Sequence, residues 1–113
     1  MNNDTPTEYE ECVIFADYLT LKGVLFSHLS QESYTKNWGA IMKRKRMGVN
    51  RGVPDFIILV PKGLCFVEMK RMKGGTVSHE QQTWINFLNA RENIEARVCR
   101  GAGEAIRFIE ELL

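Results

Sequence analysis

Asp55, Glu68 and Lys70 are three charges set in the most strand-like material of the chain, RGVPDFIILVPKGLCFVEMK at residues 51–70. Residues two apart in a strand share a face, so Glu68 and Lys70 point the same way and Met69 the other. Pro61, Lys62 and Gly63 are a turn-forming trio between two apolar runs, which predicts an antiparallel hairpin. If Val60 pairs with Gly63 or Leu64 across that turn, Asp55 comes opposite Glu68 or Met69. Directly opposed residues lie ~4.5–5.5 Å apart at Cβ, close enough for both carboxylates to hold one ion if Asp55 bends inward past Pro54. A proline marks a strand start or a bulge, where such re-aiming occurs. Two acids that close repel, and at least one is driven towards protonation unless a cation intervenes. Oxygen ligands without a nearby His or Cys favour Mg²⁺ or Mn²⁺ over zinc. The plainer alternative is a surface ion pair of Glu68 with Lys70 on an edge strand, with Asp55 capping a turn.

The surrounding elements have to hold these groups. Thr7 and Glu10 form a capping-box pattern, and Tyr9, Cys12, Val13, Ala16 and Leu19 recur at helical spacing up to Gly23, which predicts a helix over 8–22. VLFSHL, 24–29, reads as a short strand. Residues 30–52 have no clean period and collect Gly, Asn and cations, the pattern of an active-site loop that holds at most one short strand. After the hairpin, Ser78 is an N-cap for a helix over 79–91 with Trp84, Ile85, Phe87 and Leu88 inward. EARVC, 95–99, is a last strand, and GAGEAIRFIEELL from 101 closes as a helix with Ala105, Ile106, Ile109, Leu112 and Leu113 on one stripe. The expected order is α-β-β-β-α-β-α, in one domain spanning 1–113.

A net charge of +1 hides an asymmetry: residues 36–73 hold ten of the fifteen Lys and Arg but two of the fourteen acids, Asp55 and Glu68. The run Lys43, Arg44, Lys45, Arg46 alone would be a solvated loop or helix end. Beside a pair of buried acids it points to nucleic acid. Cys12, Cys65 and Cys99 are odd in number and far apart, as expected of buried, reduced thiols rather than a disulfide set or a zinc site. No apolar run approaches the ~20 residues of a membrane span. The polar, acidic start MNNDTPTEYEE has no secretory pattern, so an intracellular protein is expected.

RGVPDFIIL followed by FVEMKRMKGGTVSHEQQTWINFL resembles the VRR-NUC family of the PD-(D/E)xK nuclease superfamily, with its GxPD strand, ExK strand, glycine-containing stretch and Ser-x-x-Gln helix start. The likeness runs from about Glu8 to Leu112, and the chain resembles the minimal stand-alone members found in phages. The resemblance implies an α/β fold with a central mixed sheet flanked by helices, like restriction endonucleases. It implies a site for one or two Mg²⁺ or Mn²⁺ at Asp55, Glu68, the Val67 or Met69 carbonyl and an acid of the first helix. It also implies Lys70 as catalytic lysine and Gln81 as a further site residue, though Gln81 could equally complete a capping box with Ser78. By helical position Glu8 is the preferred first-helix acid and Glu11 the second, while Glu10 points to water. Cys12 stands where the family often has Gln. His28 and His79 read as bystanders. The activity implied is metal-dependent DNA endonuclease cleavage, with branched DNA such as a four-way junction as substrate and a two-fold homodimer to cut it. Lys43, Arg44, Lys45, Arg46, Arg51, Arg71 and Lys73 would grip phosphates without sequence specificity. The alternative is a non-cleaving nucleic-acid-binding module on the same fold.

Overall fold

The structure is a computed structural model, which describes residues 5–29 and 37–113. Its elements are α1 (Glu8–Leu21), β1 (Phe26–His28), α2 (Trp38–Arg46), β2 (Phe56–Val60), β3 (Gly63–Lys70), α3 (His79–Asn89), β4 (Ile94–Arg100) and α4 (Ala102–Leu112). The strands form one mixed sheet in the order β1-β2-β3-β4, antiparallel except for the parallel pair β3–β4. The α/β architecture is the expected one, with one helix more than the expected order.

That helix is α2, which replaces the loop expected across this region; the part of the loop at 30–36 lies outside the described residues. Two local effects make the helix. Asn37 caps it, its side-chain oxygen accepting from the Ala40 amide at 3.1 Å. Lys43, Arg44, Lys45 and Arg46 all fall in its last turn, where cations complement the negative end of the helix dipole. The run that resembles a solvated loop therefore stabilises a helix end. Gly48, at φ +86°, then closes it: its amide bonds the Lys45 carbonyl and the Val49 amide bonds the Arg44 carbonyl, a Schellman stop.

The core lies on one face of the sheet. Phe56 and Ile58 of β2, Cys65, Val67 and Met69 of β3 and Cys99 of β4 are buried there beneath α1 (Cys12, Phe15, Leu19) and α4 (Ala105, Phe108, Ile109). Burial pushes the thiols of Cys12, Cys65 and Cys99 up to about 12, so they stay protonated and unreactive. The opposite face carries Phe66, Glu68 and Lys70 by strand alternation. Helix α3 covers its β4 side, and Asn89 at the end of α3 ties down the outer edge of β4 by two 2.8 Å hydrogen bonds with the Ala96 backbone. Among the described residues no helix is long and apolar enough to cross a membrane.

Candidate active site

Val60 pairs with Gly63 and Phe56 with Val67, so the hairpin continues to Asp55 opposite Glu68. Asp55 stands one residue before β2, and its Oδ2 accepts from the Met69 amide at 2.7 Å. The carboxylate thus takes up a donor at the end of the ladder, which fixes its aim. The Asp55 carbonyl in turn accepts from the Leu29 amide just beyond β1. Glu68 is 3% exposed on a strand flanked on both sides, not on an edge, so a solvated surface pair with Lys70 is not its environment.

Two groups converge on Glu68 Oε2. The Gln81 side-chain nitrogen donates to it at 3.1 Å, and Lys70 Nζ lies 3.7 Å away. Gln81 also makes the capping box: its side-chain oxygen accepts from the Ser78 amide at 2.9 Å and its own amide donates to Ser78 Oγ at 3.1 Å. The two readings of Gln81 are therefore compatible, because capping uses one end of the amide and leaves the other for the carboxylate.

The glycine of GVPD brings α3 to the pair. Gly52, at φ +98°, packs so closely on the first turn of α3 that a Cβ there would lie 2.6 Å from the Glu80 carbonyl carbon and 2.8 Å from the Gln81 nitrogen. A side chain would push the Asp55 segment away from the helix that carries Gln81.

Burial pushes Glu68 up to about 8, the neighbouring Asp55 charge adding to this and Lys70 opposing it. Asp55 is also raised, chiefly by burial, while the Met69 amide, the contact with Glu68, and the charges of His28 and Lys70 hold it down. Glu68 is accordingly the group that carries a proton near neutrality. A hard divalent cation fits this pair: it replaces the proton, and Mg²⁺ commonly takes only one or two carboxylates and keeps waters. Among the described residues no third His, Cys, Asp or Glu completes a preformed cluster.

The pair sits at the floor of a cleft of about 1050 Å³. Glu8 and Tyr9 of α1, His28, residues 49–53, Lys70 and Gln81 line it, together with Trp38, Ile41, Met42, Arg44 and Lys45 of α2. Glu8 is near enough to raise Glu68 further. Glu11 goes elsewhere: it is buried, and its Oε1 accepts from the Ala102 amide at 3.0 Å, capping α4 across 91 residues of chain. Of the expected cations, Arg44, Lys45 and Arg51 line the cleft, while Lys43, Arg46, Arg71 and Lys73 do not. Arg71 instead donates to the carbonyls of Pro6 and Thr5 ahead of α1.

His28, a bystander by its sequence, lines the cleft with its ring stacked on Phe56 at 4.5 Å. No local pattern marks it, since its place follows from β1 pairing with β2. His79 is exposed on the first turn of α3 and does not line the cleft. Sequence reasoning also misses Arg100, whose guanidinium donates to the carbonyls of Arg71, Gly74 and Gly75 at 2.7–3.1 Å and shapes the segment after Lys70.

The model of the VRR-NUC domain family matches residues 5–103. A solved structure described as a VRR-NUC domain protein is similar to this chain with a TM-score of 0.78 and 24% identity, covering 98% of this chain and 91% of that one, a likeness of fold. No curated protein matches the chain.

The raised Glu68 fixes a pH dependence. A carboxyl whose pKa is higher folded than unfolded stabilises the fold below the unfolded value, and that contribution is lost as pH rises through the folded value. Without metal, the melting temperature should fall from pH 4.5 to about 8 and then level off. Glu68→Gln should remove this fall. Calorimetric scans across the interval check it, and an equal fall in the variant would contradict the assignment.

Proposed function

The chain belongs to the VRR-NUC domain family of PD-(D/E)xK nucleases, and from that premise we propose that it is a divalent-metal-dependent endonuclease acting on branched DNA. Its nuclease-type function follows from the family; the metal, the substrate and the roles of individual residues are our reading. The observation that carries it is the pair of part-buried Asp55 and buried Glu68, with Lys70 and Gln81 on one Glu68 oxygen, in a cleft partly walled by cations.

In this reading Asp55 and Glu68 hold Mg²⁺ or Mn²⁺ with the Met69 carbonyl and Glu8. Such an ion, when bound, supplies Lewis-acid polarisation of the scissile phosphodiester. Lys70, as an ammonium, orients the attacking water and offsets the charge that develops on the phosphate, while the water's proton passes to solvent. Gln81 acts through Glu68: with its oxygen engaged by the Ser78 amide, its nitrogen holds the carboxylate in one orientation. Arg44, Lys45 and Arg51 hold neighbouring phosphates, which gives position without sequence preference. A four-way junction needs two cuts, which a two-fold homodimer with one cleft per protomer would deliver. The protein would act inside the cell, where its buried thiols stay reduced.

Lys70 contributes mainly in the transition state, and loss of one such electrostatic group costs ~10²–10³ in rate. Lys70→Ala should therefore bind junction DNA normally in Ca²⁺ and cut it at least about a hundredfold more slowly in Mg²⁺. If binding and cutting fall together, Lys70 is a phosphate anchor; if cutting is unchanged, the catalytic role is wrong.

The two sides of α2 differ as well. Replacing Arg44 and Lys45 by Gln should flatten the dependence of log affinity on log salt by about 0.9 for each phosphate that is no longer neutralised, whereas the same change at Lys43 and Arg46 should alter it little. Equal slopes for the two double variants would contradict the assignment of these cations.

A further inference from the structure

Tyr9 and Trp38 are 77% and 72% exposed, and both line the cleft that holds Asp55 and Glu68. Phe15, Phe56 and Phe108 are fully buried, and Phe87, 65% exposed on α3, lies outside the cleft. Single exposed apolar side chains are ordinary, but Tyr9 and Trp38 come from different helices and meet in one cleft, which makes them a shared surface rather than scattered exposure. Both rings sit in the first turn of a capped helix. Tyr9 lies in the first turn of α1, held by the Thr7–Glu10 capping box, and Trp38 opens α2, whose first turn Asn37 caps. Met42, one turn after Trp38, lines the same cleft.

The cations beside these rings identify the ligand. Arg44, Lys45 and Arg51 line the cleft with Tyr9 and Trp38. A groove that combines phosphate-binding cations with exposed aromatic faces suits a single strand, whose backbone follows the charges while its bases stack on the rings. A continuous duplex offers no free base face, because each base is already stacked on both sides.

We propose that Tyr9 and Trp38 form a stacking subsite for unpaired nucleobases next to the phosphodiester held at Asp55 and Glu68. Within the branched-DNA reading this narrows the substrate to branches that expose unpaired nucleotides beside the cleavage position. This rests on the nuclease reading of the cleft, but binding alone tests it.

Trp38 and Trp84 are the only tryptophans, so Trp84→Phe leaves Trp38 as the sole reporter. In Ca²⁺, without cleavage, a short oligothymidylate should quench Trp38 fluorescence and a blunt duplex of equal length should not. By fluorescence anisotropy in the otherwise native chain, Trp38→Ala and Tyr9→Ala should each weaken oligothymidylate binding about tenfold, the scale of one base–aromatic stack. Duplex affinity should stay within about twofold and Trp38→Phe should restore most of the loss, as any aromatic face serves. Equal losses on single strand and duplex would overturn the proposal. So would unchanged DNA binding with a shift from dimer to monomer in sedimentation, which would make the rings a contact between copies. If the quenching and the selectivity hold but the wild type cuts nothing in Mg²⁺, the subsite stands and the catalytic reading alone fails.

Discussion

The opposition of Asp55 and Glu68 across the open end of the β2–β3 hairpin governs the arrangement of everything around it. The tight turn that pairs Val60 with Gly63 sets the register, and a slip of one residue would send Glu68 to the core face and Met69 to the cleft. Strand β4 covers the other side of β3, which removes Glu68 from water. The Met69 amide aims Asp55, and α3 delivers Gln81 because Gly52 allows its first turn to approach. Each of these contacts helps to keep the two carboxyl groups together.

Holding them there costs free energy, which appears as the upward shift of both carboxyls. A divalent cation between the carboxyls would offset this cost. Around this acidic floor the walls are basic and aromatic, so the cleft separates two tasks. In the proposed reading phosphates would meet Arg44, Lys45 and Arg51, which line the cleft, and a phosphate drawn inward would reach Lys70. The cations of α2 can sit on a helix because they occupy its C-terminal turn, where their charge is locally favourable.

Much of this is legible in the sequence because it depends on local rules. The hairpin turn, both capping boxes and the alternation around Glu68 involve residues only a few positions apart. Helix α2 is not legible: Gly39 and a run of four cations argue against a helix until the capping Asn37 and the favourable charge at the C-terminal turn are weighed together. The types and positions of Glu11 and Arg71 suggest chemical roles for both. In the structure Glu11 caps α4 and Arg71 holds the chain ahead of α1, contacts that span 91 and more than 60 residues and leave no periodic trace. The cleft positions of His28 and Tyr9 likewise follow from how β1 and α1 meet the sheet.

Manganese binding, measured by the loss of the free-ion electron paramagnetic resonance signal at neutral pH, bears most directly on the carboxylate pair. Wild type, Asp55→Asn and Glu68→Gln would be titrated side by side, with circular dichroism to establish that all three are folded. The account predicts at least one bound ion per chain in the wild type, and affinity about tenfold or more weaker in each variant, since even the supporting residues of a metal site typically contribute that much. Wild-type affinity retained in both variants would contradict it.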